Sequence, residues 1–127
     1  MQNLFLVMIG GAIGAGLRHL TSGFMLRRLG PDFPFGTLSV NVLGSLLLGL
    51  LVGVLAFRGG EHQNQLRALI GTGVMGGFTT FSAYSLETAL MIEEGRYMQA
   101  GGYALGSVAA GVLAVFVGLW IARRVFA

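Results

Sequence analysis

Neutral hydrogen-bonding side chains recur at regular intervals inside the apolar stretches of this sequence. Thr37, Asn41 and Ser45 lie four residues apart on one stretch, and Tyr103 and Ser107 do the same on a later one. Residues four apart share a face of a helix, so each set predicts a polar stripe. Asn amides and Thr, Ser and Tyr hydroxyls donate hydrogen bonds without a formal charge. Such a set suits a small, strongly hydrated anion, which must bind well enough to enter and weakly enough to leave.

A third stretch, residues 76–87, has the sequence GGFTTFSAYSLE and holds the densest group of polar side chains. Gly frees the backbone, and Ser and Thr compete for its hydrogen bonds, so the stretch favours a broken helix. Irregular backbone at membrane depth is tolerated only where protein or a water-filled cavity surrounds it. Phe81 and Tyr84, three apart, would place electropositive ring edges beside the break. The stretch is therefore the leading candidate for an ion site.

Charged residues are rare inside the apolar stretches, where only Arg18 and Glu87 lie well away from the ends. Charges at membrane depth are costly and mark functional candidates, although Arg18 has a stem long enough to reach the water boundary. Glu87 has two alternatives, an interface or a basic partner. His19 and His62 fall near helix ends or in links, and the chain has no Cys. We therefore predict a protein that is not an enzyme.

The composition indicates a membrane protein. Of the 127 residues, 54% are hydrophobic and 10% are charged, whereas a soluble domain has about 25% charged residues. The net charge of +3 comes from eight Arg and no Lys. These arginines are scattered at segment ends and form no stripe, so we expect no nucleic-acid partner.

Four segments are long and apolar enough to cross a bilayer, which takes about 20 residues each. We predict helices at 3–24, 36–57, 66–92 (broken near 76–80) and 97–121, joined by short links that make neighbours antiparallel. Together they form a single integral-membrane domain over residues 1–127, surrounded by lipid. The first apolar run is too long for a signal-peptide core, so we expect it to be retained as a span.

Small residues recur at intervals of four, which allows close helix packing either within one bundle or between subunits. The pairs are Gly10/Gly14, Gly49/Gly53, Gly73/Gly77, Gly102/Gly106 and Ser107/Gly111. The arginines are nearly balanced between the two predicted sides of the membrane. Either the topology is weakly specified, or the chain inserts in both orientations and can form an antiparallel dimer.

Three motifs resemble those of the CrcB/Fluc fluoride channels, in the same order and over essentially the whole chain. They are GGAIGA at 10–15 followed by Arg18, GTLSVNVLGS at 36–45, and GGFTTFS at 76–82. The resemblance implies an all-α membrane protein with four transmembrane helices per subunit, the third of them broken. It also implies an antiparallel, dual-topology homodimer in the bacterial inner membrane, with two fluoride pores at its interface. Such a channel exports fluoride passively from the cytoplasm and so lowers its toxicity.

The same resemblance implies particular site residues. The carbonyls of Gly76 and Thr79 would bind a structural Na⁺ at the dimer centre. The fluoride pathway would consist of Asn41 as a donor, Phe81 and Tyr84 as the aromatic pair, and Thr37, Tyr103 and Ser107 as a polar track. Arg18 would lie at an aqueous vestibule, and Glu87 matches an acidic position to which we assign no role.

The sequence departs from the family pattern at two adjacent positions. Tyr84 stands where Phe is usual, and Ala83 where Thr is common. A Tyr hydroxyl needs a hydrogen-bond partner or water, so this one would donate to the ion or to a neighbouring polar group.

Two other functions are alternatives. A proton-coupled small multidrug exporter needs a titratable carboxylate, typically in the first helix, but that segment has Arg18 and no acid. A non-transporting membrane assembly subunit would explain the glycines but not the polar stripes.

Overall fold

All regular structure in the described part of the chain is helical. The computed structural model describes residues 2–58 and 60–126. Its elements are α1 (Gln2–Leu29), α2 (Phe35–Arg58), α3 (Gln63–Leu66), a π-helical segment (Arg67–Met75), α4 (Gly76–Phe78), α5 (Phe81–Glu93) and α6 (Tyr97–Phe126).

Three helices, α1, α2 and α6, are long and apolar enough to cross a membrane. This is the architecture of a multi-pass membrane protein. Helix α1 covers the predicted 3–24 and continues to Leu29, and α6 covers 97–121 and continues to Phe126. Arg27 and Arg28 lie in the last turn of α1, and Arg123 and Arg124 in that of α6. Cations at a helix C-terminus are favourable, because they face the negative end of the helix dipole.

Residues 63–93 form a bent helical segment, here called the broken segment. Its two parts, 63–78 and 81–93, are separated by Thr79 and Thr80 in extended conformation, with φ, ψ of −84°, 160° and −151°, 119°. The sequence predicts a break near 76–80, and the structure has it at the C-terminal edge of that range. The second part starts where the Thr80 side chain accepts a hydrogen bond from the Ala83 N–H, which caps α5.

The first part of the broken segment contains a π-helical stretch, Arg67–Met75, which the sequence analysis did not predict. π-helical turns are rare and often occur at functional sites. Here the stretch packs closely on α1. A Cβ built on Gly73 would lie 2.9 Å from the Gly10 Cα, so the two backbones are in direct contact.

Glycines let the helices pack as two close pairs. A Cβ on Gly10, Gly14 or Gly77 would overlap backbone where α1 meets residues 67–78. The equivalent contacts between α2 and α6 involve Gly49 and Gly118. These glycines therefore pack within one chain. A Cβ on Gly102 or Gly106 would meet nothing within 4 Å, so that pair is not used in this way.

Replacing Gly14 by Ala should destabilise the fold. The added Cβ would overlap the Val74 carbonyl oxygen and lie 2.8 Å from the Phe78 amide nitrogen. Overpacking of this kind costs about 1–3 kcal/mol, so thermal unfolding of the purified protein in detergent should occur at a clearly lower temperature. The matched control is Gly16→Ala on the same helix, where a Cβ meets nothing within 4 Å. Equal unfolding temperatures for the two variants would contradict this packing.

Candidate functional site

The break in the broken segment is held from α2 by one side chain. The Thr80 N–H donates to Asn41 Oδ1 at 2.7 Å, and Asn41 Nδ2 donates to the Thr80 carbonyl at 3.0 Å. This two-bond pairing replaces helical hydrogen bonds that the extended backbone cannot make. It also fixes the orientation of the amide, because its oxygen faces a donor and its nitrogen faces an acceptor. Asn41 keeps a second Nδ2 N–H for another partner.

The hydroxyls of the two threonines satisfy the helix ends on either side of the break. Thr79 Oγ1 donates to the Met75 carbonyl at 3.0 Å, and Thr80 Oγ1 accepts from the Ala83 N–H at 3.1 Å. Thr80 Oγ1 also lies 3.2 Å from Ser82 Oγ. The adjacent threonines thus end one helix and begin the next, as expected for side chains that compete with the helical ladder.

A charged side chain from α1 reaches the same break. Arg18, which is half-buried, donates from Nε to the Gly77 carbonyl at 3.0 Å. The sequence analysis placed Arg18 at an aqueous vestibule and did not foresee this contact.

Two carbonyls at the break lose their usual helical partners. In an unbroken helix the Gly76 and Thr79 carbonyls would accept from the N–H groups of Thr80 and Ala83. Those N–H groups donate instead to Asn41 and to the Thr80 hydroxyl. The freed oxygens have the donor chemistry that a hard cation such as Na⁺ prefers. The predicted pair of ligands therefore fits such an ion chemically.

Gly76 and Thr79 line a pocket of about 300 Å³ between α2 and the broken segment. Asn41, Ser45 and Phe81 line it too, and no described residue of its lining is charged. The pocket therefore combines an amide, a hydroxyl and an aromatic ring without a fixed charge.

The two predicted aromatic residues lie side by side. The ring centroids of Phe81 and Tyr84 are 5.6 Å apart with an interplanar angle of 45°. Phe81 is 78% exposed, whereas Tyr84 is half-buried. The Tyr84 hydroxyl donates to the Ala104 carbonyl on α6 at 2.7 Å. Of the two partners that the sequence leaves open for this hydroxyl, the structure has a neighbouring polar group.

The other predicted polar residues lie beyond Tyr84, around a ring on α6. Tyr103 is 2% exposed, its ring centroid is 5.4 Å from that of Tyr84, and its hydroxyl donates to Glu87 Oε1 at 3.4 Å. Thr37 is buried, and it lines a second pocket of about 340 Å³ together with Glu87. Ser107 Oγ is buried and has no hydrogen-bond partner among the described residues.

The sequence analysis missed two aromatic residues of the link between α1 and α2. Phe33 packs edge-on against Tyr103, with ring centroids 5.4 Å apart at 88°, and Phe35 lies 4.9 Å from Phe33. The rings form a continuous row from the link to the break. The signal that could have found them is two aromatic residues in a link that also contains Pro31 and Pro34, since prolines restrict its backbone.

Replacing Asn41 by Leu, which has a similar volume, should destabilise the protein by about 1–3 kcal/mol, because both Thr80 backbone groups lose a partner at a buried position. Thermal unfolding in detergent measures this. The control Thr21→Val removes a hydrogen bond of 2.9 Å that stays within α1, from Thr21 Oγ1 to the Leu17 carbonyl, and should change stability by less than about 0.5 kcal/mol. Similar losses in both variants would argue against the pairing of Asn41 with the break.

The chain is similar to known proteins over its whole length. The family model described as CrcB-like protein, Camphor Resistance (CrcB), matches residues 5–119. A relative from Phenylobacterium zucineum, named fluoride-specific ion channel FluC, is 59% identical over 127 residues, which is all of both chains. Relatives of the same name from Caulobacter sp. (strain K31) and Mesorhizobium japonicum are 55% and 51% identical, with at least 97% of each chain covered. The chain therefore belongs to the CrcB family.

Proposed function

We propose that this protein is a fluoride channel that lets fluoride leave the cytoplasm passively. Relatives that match nearly the full chain carry the name of a fluoride-specific ion channel. The observation that carries the proposal is the uncharged pocket at the break, where Asn41, Ser45 and Phe81 meet. A fixed cation there would hold a small anion too tightly to release it, whereas neutral donors and a ring edge can replace water and still let the ion go.

Fluoride would pass along α2 and the aromatic pair. Asn41 offers its second amide N–H, and the exposed ring of Phe81 offers its edge. Thr37 lies one helical turn, about 6 Å, from Asn41 on α2, toward the second pocket. Tyr103 and Ser107 on α6 would supply hydroxyls along this route, and the buried Ser107 Oγ has no other described partner. Glu87 lies at the far end of the route, bonded to Tyr103.

We further propose that the chain crosses the membrane four times and works as an antiparallel homodimer. The broken segment would supply the third crossing. Irregular backbone at membrane depth must be covered by protein or line a cavity, yet in a single chain Gly76 and Phe81 are exposed. A second copy would cover them. The balanced arginines favour insertion in both orientations, which is what an antiparallel pair requires.

A Na⁺ held by the Gly76 and Thr79 carbonyls would join the two copies. One chain offers two freed carbonyl oxygens, whereas hard cations are typically held by about six oxygen ligands. A site shared across a two-fold axis would double the number of protein oxygens. The ion would supply charge compensation for the carbonyl ends at the break.

The function is tested by ion efflux from liposomes that contain the purified protein. Fluoride efflux, followed with a fluoride electrode, should be fast, and chloride efflux should be at least about a hundredfold slower, a difference of about 2.7 kcal/mol in barrier height. Protein-free liposomes are the control. Equal fluoride and chloride permeation would contradict selectivity, and no fluoride permeation would contradict the function.

Two aromatic variants test the pathway. Phe81→Ile removes the exposed ring edge and should lower fluoride flux at least about tenfold, a barrier increase of about 1.4 kcal/mol. Tyr84→Phe keeps the ring and removes a hydroxyl that faces Ala104, so flux should stay within about threefold of the unmodified protein. The matched control is Phe116→Ile, another exposed Phe, on α6. Unchanged flux in Phe81→Ile would remove this ring from the pathway, and a large loss in Tyr84→Phe would mean that the hydroxyl meets the ion.

A further inference from the structure

Arg18 contacts the break from an unusual depth in its helix. It lies about 16 Å along α1 from the end of the helix at Leu29. Its Nε donates to the Gly77 carbonyl at 3.0 Å, although the two residues are 59 positions apart in the chain. An arginine that only reached for water would have no need of this partner.

The contact depends on a close approach of two backbones. A Cβ on Gly77 would collide with the Gly11 carbonyl oxygen and lie 3.1 Å from the Ala15 amide nitrogen. Gly11, Ala15 and Arg18 follow at intervals of four and three, so they share one face of α1. The face that carries Arg18 is therefore the face pressed against residue 77.

Gly77 lies where a cation is favourable. It is near the C-terminal end of the helical residues 63–78, where carbonyls lack helical partners and the helix dipole is negative. At membrane depth these carbonyls cannot turn to bulk water. The Arg18 guanidinium supplies both a donor and a compensating charge.

We propose that Arg18 is a positioning residue for the break. It holds the Gly77 carbonyl from α1, while Asn41 holds Thr80 from α2. These two anchors flank Thr79, so they fix the backbone that carries the Gly76 and Thr79 carbonyls. This inference rests on the cation site of the proposed function, and it gives Arg18 a different role from a charge in an aqueous vestibule.

The test compares Arg18→Met, Arg18→Gln and Arg18→Lys with the matched control Arg28→Gln. Arg28 lies on the same helix, 5.2 Å from the centroid of the Phe24 ring and away from the break. Thermal unfolding of each protein in detergent is measured as NaCl replaces N-methyl-D-glucamine chloride. We expect the Na⁺ concentration for half-maximal stabilisation to rise at least about tenfold in Arg18→Met and Arg18→Gln, less in Arg18→Lys, and not at all in Arg28→Gln.

Amide hydrogen exchange gives a second readout that needs neither Na⁺ binding nor flux. Peptides covering residues 76–86 should exchange faster in Arg18→Lys, which keeps the charge and is the variant best able to fold, and should be unchanged in Arg28→Gln. If the unmodified protein shows no Na⁺-dependent stabilisation, the proposed cation site fails, and the exchange experiment alone decides the role of Arg18. Unchanged exchange in Arg18→Lys, with fluoride flux reduced only at low fluoride, would overturn the proposal in favour of a vestibule charge.

Discussion

The structure depends on the satisfaction of backbone polar groups where a helix is interrupted at membrane depth. In water, the N–H and C=O groups freed at Thr79 and Thr80 would bind solvent, but in a bilayer each needs a protein partner. Side chains supply most of these partners. Asn41 pairs with both backbone groups of Thr80, the Thr80 hydroxyl takes the Ala83 N–H, and Arg18 takes the Gly77 carbonyl. The carbonyls of Gly76 and Thr79 are the ones from which these partners divert the helical donors, so the geometry that satisfies the break also creates the candidate ion site.

The glycines are a condition of this arrangement, because short side-chain hydrogen bonds require helices that nearly touch. Arg18 reaches residue 77 since Gly77 brings its backbone against α1, and Gly14 does the same for Val74 and Phe78. On the other side, a Cβ on Gly44 would overlap the Thr79 side chain, so α2 approaches the break just one turn beyond Asn41. Larger residues at these positions would separate the donors from their acceptors. The abundance of Gly thus serves the site as well as the packing.

Local features of the site could be predicted from the sequence, whereas contacts between distant residues could not. The polar stripe on α2 and the break near residues 76–80 follow from residue types and helical spacing, both of which act over a few neighbours. The partners of Asn41 and Arg18 lie 39 and 59 positions away, and no periodicity encodes which helix faces which. The same reason applies to Phe33, which belongs to a link in sequence but packs on Tyr103 in space. The π-helical stretch is a further case, because its residues are compatible with an ordinary helix until α1 packs against them.

The Tyr84 hydroxyl shows how a departure from a family pattern can leave a mechanism intact. A Phe at this position would present only its ring, and a Tyr adds a donor that would compete for the ion if it pointed into the pathway. The hydroxyl instead donates to Ala104, and the ring stays 5.6 Å from Phe81 and 5.4 Å from Tyr103. Because that hydrogen bond joins α5 to α6, it ties the half-buried ring to a second helix and restricts its rotation. The extra polar atom therefore stabilises the orientation of the aromatic pair, and the chemistry offered to an anion remains that of ring edges and neutral donors.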